Sequence, residues 1–440
     1  MQKIAILGAG RSAGYLIDYL SDKSIENDWQ VRVFDQNFEG YFLAFGKNEH
    51  CEFITTNLSD FQVLQAIVTE SDLVVSVLPP SMHFNVARFC VLHQTHLVTA
   101  SYVSPEMKAL HEVALENNVI LLNELGLDPG IDHLSAAKAL HEIKELGGVI
   151  KGFESYCGGL IREEDCTGNP WKYKFTWNPR NVVLAGQGSN SKWLQHGTLF
   201  QVAPSELFQH AVTLDVPSIG TYDAYPNRDS LSYVDQYQLP GVKTMLRGTL
   251  RRKGYCEAWQ VLVQFGFTND ELGQDVKFEN RREWFKHLVK FDNVASWLSE
   301  INVPQEVKEK IQYLDLDNNQ ENVPENSSHA SILLKLLESK WKLQDNDIDE
   351  VVMIHKIDYT LNNKNYCHYA TLKVFGEGGA HTAMAKTVGL PLALGAQGIL
   401  KGQILDRGCV MPFNTTWGAM ILEQLRDLDV VFDETTVQLD

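Results

Sequence analysis

Three side chains combine proton-handling chemistry with places where the chain turns: Tyr102 in Ala100-Ser101-Tyr102, Asp128 in Gly126-Leu127-Asp128-Pro129-Gly130, and Cys157 ahead of Gly158-Gly159. A carboxylate accepts a proton, whereas a tyrosine hydroxyl or neutral thiol donates a hydrogen bond or holds a water, so the trio suits general acid–base work. Asp128 is expected to lead, with Tyr102 and Cys157 in support. Its other use, capping the helix that follows Pro129, stays open. Two arginines, Arg228 in Tyr225-Pro226-Asn227-Arg228-Asp229-Ser230 and Arg247 in Arg247-Gly248-Thr249, can each fork a substrate carboxylate. The competing role is an ion pair with one of the chain's many acidic groups.

These groups need a scaffold, and the N-terminal half supplies a recognisable one. Lys3 to Leu7 reads as a β-branched apolar strand, followed by Gly8-Ala9-Gly10-Arg11-Ser12-Ala13-Gly14 and an amphipathic helix through Leu20. This is a dinucleotide fingerprint: Gly8 makes the tight turn, Gly10 lets a pyrophosphate approach the backbone, and Ala13 permits close helix–strand packing. Arg11 and Ser12 lie in the same turn. A second strand, Gln30 to Phe34, ends in Asp35, where an acid can accept from both adenosine ribose hydroxyls and repel a 2′-phosphate. The expected cofactor is therefore NAD rather than NADP, with Arg32 pointing to the opposite face of the strand. Further strands at Glu52–Thr55, Leu73–Leu78, His96–Ala100 and Val119–Leu122 alternate with helical stretches at Phe61–Thr69, His83–His93 and Ser104–Asn117, the spacing of a doubly wound parallel sheet. Ligands bind at the carboxyl ends of such strands, which places Leu78, Ala100, Ser101 and Tyr102 beside the nicotinamide half of the cofactor. The stretch Leu121 to Leu134 then forms a turn from which a helix departs, capped by Asp132, and it is the expected hinge.

Beyond it the pattern changes. Val149 to Tyr156 alternates as a strand ending at Cys157-Gly158-Gly159, and strands are expected at Gly197–Val202, Ile219–Tyr225 and Thr244–Arg251, with an aromatic and cationic run from Asn169 to Trp177. Helical periodicity runs from Tyr255 to Trp341, broken by the polar stretch Asp315–Ser328, which reads as a mobile surface loop. A hairpin, Val351–Leu361 and Cys367–Phe375, and apolar helices at His381–Lys401 and Trp417–Leu425 complete the chain. The expected architecture is α/β: a Rossmann doubly wound parallel sheet plus an α+β substrate domain with an inserted helical domain. The boundaries are 1–128 with 389–440, 129–254 with 346–388, and 255–345.

Composition excludes other classes. Thirty-eight basic against 56 acidic residues leave a net charge of −18, which repels nucleic acid and anionic membrane surfaces alike. No run of about 18 apolar residues and no signal segment is read, so a soluble cytoplasmic protein is expected. Cysteines 51, 90, 157, 166, 256, 367 and 409 are scattered without a C-x-x-C pair, arguing against a disulfide framework or a metal cluster. A homodimer is permitted, though no residue pattern specifies it.

The segments Gly8–Ala13, Thr99–Pro105, Asn123–Leu134, Ser155–Leu160, Tyr173–Trp177, Tyr225–Ser230 and Arg247–Leu250 occur in the order found in the saccharopine reductase family, the L-glutamate-forming saccharopine dehydrogenases of lysine metabolism. The chain resembles that family through more than half its length. The resemblance implies oxidation of the secondary amine of saccharopine, a small amino-acid substrate, to L-glutamate and 2-aminoadipate 6-semialdehyde. It also implies cofactor contacts from Leu127 and Pro129 and substrate contacts from Ser101, Tyr102, Asp128, Arg228, Arg247, Gly248 and Thr249. One departure is the Ile161-Arg162-Glu163-Glu164-Asp165 run where the family usually has Pro-Ala-Pro-Glu, so no site residue is carried from there. A lysine 6-dehydrogenase, a carboxynorspermidine-type dehydrogenase and a non-catalytic nucleotide-binding sensor are the alternative readings.

Overall fold

Uninterrupted apolar runs without alternation, such as Lys3–Leu7 and Leu73–Val75, become strands covered on both faces. The computed structural model describes residues 1–38, 48–271 and 277–439. Its chain begins β1 (Gln2–Leu7), α1 (Gly14–Asn27), β2 (Trp29–Asp35), β3 (Cys51–Thr55), α2 (Phe61–Thr69), β4 (Leu73–Ser76), α3 (Pro80–His93), β5 (His96–Thr99), α4 (Pro105–Ala109), α5 (His111–Glu116), β6 (Ile120–Leu122) and α6 (Ile131–Glu145). It continues through β7 (Val149–Ile161), α7 (Pro179–Val183), β8 (Ser191–Gln195), β9 (Thr198–Val202), β10 (Val212–Val216), β11 (Gly220–Pro226), α8 (Tyr233–Gln236) and β12 (Thr244–Arg252). The helices α9 (Tyr255–Gln264), α10 (Arg281–Val289), α11 (Val294–Glu300), α12 (Gln305–Tyr313) and α13 (His329–Lys340) precede the hairpin β13 (Asp349–Leu361) and β14 (Lys364–Phe375). Last come α14 (Ala383–Leu400), β15 (Gly408–Val410), α15 (Thr415–Arg426) and β16 (Phe432–Leu439).

Two compact units result: residues 1–147 with 374–432, and 148–373 with 433–440. In the first, the strand order is β3-β2-β1-β4-β5-β6-β15, with every pairing parallel. This is the doubly wound order in which ligands meet the carboxyl edge where the winding reverses, between β1 and β4. The expected boundaries at 128/129 and 388/389 differ from these divisions, because the helix after the hinge packs in this unit: α6 lies against α15, and α14 against α1. At that second contact, a Cβ on Gly389 of α14 would come within 2.8 Å of the Leu16 backbone nitrogen, so only glycine allows α14 to lie so close to the start of α1. The expectation of no long apolar segment also fails. Helix α14 is 18 residues long and apolar enough by composition to cross a bilayer, yet 83% of it is buried inside the protein, as befits a core helix.

In the second unit β7 sits centrally, in the order β10-β11-β12-β7-β13-β14-β16, with the β8–β9 hairpin paired to β12. Strand β7 runs straight through Cys157-Gly158-Gly159 instead of ending there. The glycines serve inter-strand packing: a Cβ on Gly158 would lie 2.7 Å from the Leu250 carbonyl oxygen. The helices α9 to α13 enclose an aromatic core in which Trp171, Tyr173, Phe175, Tyr255, Trp259 and Trp341 meet mainly edge-on, with Trp171 and Trp341 centroids 5.3 Å apart. This accounts for the aromatic residues of the run from 169 to 177. The stretch 315–328 is tied down rather than loose: Arg281 reaches Glu321 at 3.0 Å and Asp315 at 3.6 Å, and Asp317 accepts the Val294 N–H at 3.0 Å.

Candidate active site

The fingerprint turn follows β1 directly. Gly8 takes φ +97°, and its N–H donates to the Phe34 carbonyl at 2.8 Å. Among the described residues, nothing lies within 4 Å of a would-be Cβ on Gly10, the open cradle a pyrophosphate needs. Arg11 is exposed, Ser12 half-buried and Ala13 fully buried as the N-cap of α1. That helix has no side-chain cap and no acidic residue in its first turn, so its own first turn leaves the positive end of the helix dipole uncompensated. These features fit a dinucleotide phosphate.

Asp35 ends β2 as expected, but its carboxylate turns inward. Oδ2 accepts the Ala9 N–H at 2.6 Å, while Oδ1 accepts from Gln36 at 2.6 Å and Asn37 at 3.4 Å. Arg32 is engaged elsewhere, with Nη1 on Glu70 at 2.8 Å. Leu78 lies just past β4 and Ala100 just past β5, both half-buried. Between them His83 of α3, 4% exposed, gathers hydroxyls from three places: Ser76 on Nδ1 at 3.1 Å, and Thr99 at 3.4 Å and Ser101 at 2.8 Å on Nε2. Burial pushes this imidazole down to about 4, so it is neutral at ordinary pH.

The hinge brings Tyr102 and Asp128 together. The Tyr102 hydroxyl donates to Asp128 Oδ1 at 3.3 Å; Tyr102 is 51% exposed and Asp128 half-buried. Leu127 and Pro129, on either side of Asp128, are buried. The turn closes on itself through Gly126 N–H to the Pro129 carbonyl and Ile131 N–H to the Gly126 carbonyl, both 2.8 Å. Gly130 permits this, at φ +145° with a would-be Cβ only 2.0 Å from the Gly126 carbonyl oxygen. Asp132 is not the N-cap. Gly130 holds that place, and Asp132 lies inside the first turn, accepting the Gly130 N–H at 2.6 Å.

In the second unit, cross-strand partners share a face of the sheet. Thr249 pairs with Cys157 and Arg247 with Ser155 across β12 and β7; His355 pairs with Ser155, and its Nδ1 lies 3.0 Å from the Ser155 hydroxyl. Cys157, Arg247 and Thr249 therefore belong to one face. Gly248 lies on the other, under the Tyr156 ring, which would stand 2.6 Å from a Cβ there. Arg247 is 3% exposed, with its guanidinium 4.3 Å from the Tyr233 ring centroid. Arg228 is exposed and reaches the Leu184 carbonyl at 3.4 Å. It is held near β12 by the Asn227 N–H, which donates to the Arg247 carbonyl at 2.7 Å, and by Thr249 Oγ1 on Asn227 Oδ1 at 2.8 Å.

Sequence reasoning missed His83 and a buried trio, Glu124, Asp132 and His133. His83 carries no motif, since only the fold shows the hydroxyls around it. The trio had a sign in the sequence: ionisable residues placed within an otherwise apolar hinge and helix start.

Comparison with known proteins adds to this geometry. Residues 4–122 match the family profile described as "Saccharopine dehydrogenase NADP binding domain", and residues 126–429 the one described as "Saccharopine dehydrogenase C-terminal domain". A Pyricularia oryzae protein named saccharopine dehydrogenase [NADP(+), L-glutamate-forming] is 32% identical over 450 residues, covering 97% of each chain. A mouse mitochondrial alpha-aminoadipic semialdehyde synthase is 33% identical over all of this chain, which spans 48% of that protein. The solved apo structure of the L-Glu-forming saccharopine dehydrogenase from Saccharomyces cerevisiae superposes with a TM-score of 0.88 at 29% identity, covering 99% of this chain and all of that one. The NAD expectation is overturned here: the matching profile is an NADP-binding domain and the fungal relative carries NADP(+) in its name. Physically, Asp35 already accepts backbone N–H groups of Ala9, Gln36 and Asn37, so an acid at the end of β2 does not by itself specify a ribose partner.

Proposed function

From its membership of the saccharopine dehydrogenase family, to which this chain belongs across residues 4–122 and 126–429, we propose that it interconverts saccharopine with L-glutamate and 2-aminoadipate 6-semialdehyde using NADP(H). The observation that carries this reading is end-to-end similarity to a protein named for that reaction, at 97% coverage of each chain. The tyrosine–carboxylate pair, Tyr102 on Asp128, supports it chemically.

With the pyrophosphate of the dinucleotide held at the Gly8–Ala13 turn, its nicotinamide would supply the hydride acceptor or donor. The residues of the chain do the rest. The Asp128 carboxylate takes the proton from the substrate nitrogen or from the water that attacks the imine, with the Tyr102 hydroxyl donating to Oδ1 and fixing its orientation. Water adds to the carbon–nitrogen double bond, and the carbinolamine splits into amine and aldehyde. Arg228 and Arg247 offer planar forks for substrate carboxylates. Thr249, on the same face as Arg247, adds a hydroxyl, and Cys157 a thiol that can hold water. Arg11, exposed in the fingerprint turn, is the cation we assign to the extra phosphate of NADP.

The test is turnover by the purified full chain, following reduced nicotinamide with saccharopine and either NADP+ or NAD+ and identifying products by mass spectrometry. Glutamate and the semialdehyde, with at least about tenfold higher kcat/KM for NADP+, are expected. Lysine and 2-oxoglutarate as products, or no turnover with saccharopine, refutes the reading.

A further inference from the structure

Tyr102 is half exposed. Its aim at Asp128 therefore depends on the backbone on either side, and a tyrosine or carboxylate misplaced by about 1 Å costs about a hundredfold in rate. The fold grips both backbones through buried ionisable groups.

Glu124, 3% exposed, brackets Tyr102. Its N–H donates to the Ser101 carbonyl at 3.2 Å, and its Oε1 accepts the Val103 N–H at 3.0 Å. It does so from φ +57°, a conformation a non-glycine residue holds only when its surroundings impose it. Asp132, fully buried, brackets Asp128 in the same fashion. Its N–H donates to the Leu127 carbonyl at 3.1 Å, and its Oδ1 accepts the Gly130 N–H at 2.6 Å. Between the two carboxylates lies His133, also fully buried, with Nε2 3.0 Å from Glu124 Oε2 and Nδ1 3.5 Å from Asp132 Oδ2. Phe413, its ring centroid 4.8 Å away, packs on the imidazole.

Burying two carboxylates is costly, and ordinary helix capping or apolar packing would start α6 more cheaply. Beyond the backbone N–H bonds of Glu124 and Asp132 to the Ser101 and Leu127 carbonyls, the carboxylates add an accepted N–H on the far side of each key residue and a link between the two loops through His133. We propose that Glu124, His133 and Asp132 form a positioning triad in which His133 couples the two carboxylates and so sets the Tyr102–Asp128 hydrogen bond. The proposal rests on the saccharopine reading for its kinetic test, but its spectroscopic test does not.

His133→Gln keeps a donor toward Glu124 and removes the contact to Asp132. With saccharopine and NADP+, kcat is expected to fall about tenfold to a hundredfold, while the dissociation constant for NADPH, read by its fluorescence, stays within about twofold. In the Tyr102→Phe background the same substitution should add less than about threefold, because both changes disable one hydrogen bond. In parallel, 3-fluorotyrosine at position 102 reports the ring directly. Its 19F resonance should shift in Asp128→Asn and move the same way in His133→Gln. Full multiplication of the two kinetic losses, or a fluorine resonance that answers Asp128→Asn and ignores His133→Gln, overturns the triad. Should His133→Gln fail to fold, Glu124→Gln, which keeps an oxygen for the Val103 N–H, carries both measurements with the same expectations. A wild type inactive on saccharopine refutes the substrate reading alone, and the fluorine experiment then decides the triad.

Discussion

Lowering the pH should expose the charge state of His83. Burial among Ser76, Thr99 and Ser101 pushes the imidazole from its ordinary 6.5 down to about 4, against a smaller opposing effect of the Leu78 carbonyl. The unfolded chain therefore takes up a proton between these values that the folded chain refuses. Stability from the neutral ring is complete above the unfolded value near 6.5 and is lost as pH falls toward 4. The shift corresponds to about 3 kcal/mol in all, of which about 2 kcal/mol is lost between pH 7.5 and 5. Two measurements check this. The imidazole carbon resonances of labelled histidine should show His83, identified by its loss in His83→Gln, still neutral at pH 5. Urea unfolding of the first unit, followed through Trp29 and Trp417, should be less pH-dependent in His83→Gln than in wild type by about 2 kcal/mol over that range. A resonance titrating near 6.5 in the folded protein, or identical pH dependence in the two proteins, would show that the ring is solvated and that its hydroxyl cage does not hold Ser101.

Three other substitutions bear on the site. Asp128→Asn leaves an oxygen for the Tyr102 hydroxyl but cannot take a proton, so kcat should fall at least about a hundredfold with the melting temperature unchanged; a loss below about threefold places the acid–base work elsewhere. Arg247→Lys keeps the charge but loses the planar group over Tyr233, and KM for saccharopine should rise about tenfold or more; unchanged kinetics would make Arg247 structural. Gly130→Ala puts a methyl carbon 2.0 Å from a backbone oxygen, and a loss above about 4 kcal/mol in unfolding titrations is expected; a stability near wild type would mean that the turn opens easily.

Much of the first unit was legible because parallel strands buried on both faces leave an unmistakable trace of apolar runs separated by helical periods. What escaped was short or polar. Strand β15 has three residues, Gly408–Val410, too few for any periodicity. Strand β16, Phe-Asp-Glu-Thr-Thr-Val-Gln-Leu, lies mostly exposed at a sheet edge, so its pairing with β14 holds it rather than burial. Strand β4 was read to Leu78 but ends at Ser76, since the apolar run continues into a turn before the prolines. Gly158 and Gly159 looked like a strand end; the neighbour that requires Gly158, Leu250, lies far away in sequence. The hairpin turn was readable in outline, and Asn362 and Asn363 adopt φ of 51° and 59°, the conformation asparagine tolerates best after glycine.

For the candidate site, sequence position supplied addresses but not hydrogen-bond states. Asp35 and Asp128 are both aspartates just past or at strand ends of one parallel sheet, and each was assigned an outward-facing task on that basis. Asp35 instead accepts the Ala9, Gln36 and Asn37 N–H groups, so the carboxylate braces the fingerprint turn. Charge accepted by three N–H dipoles also acts less strongly on a group beyond them than a projecting carboxylate does, which weakens the electrostatic objection to a 2′-phosphate. Asp128 Oδ1 accepts a half-exposed tyrosine hydroxyl, on a turn closed by the Gly126, Gly130 and Ile131 N–H groups. An acid held by three backbone donors is part of the frame, whereas in the proposed reading the one that accepts a half-exposed tyrosine hydroxyl exchanges a proton with the substrate, and Asp128→Asn separates the two uses.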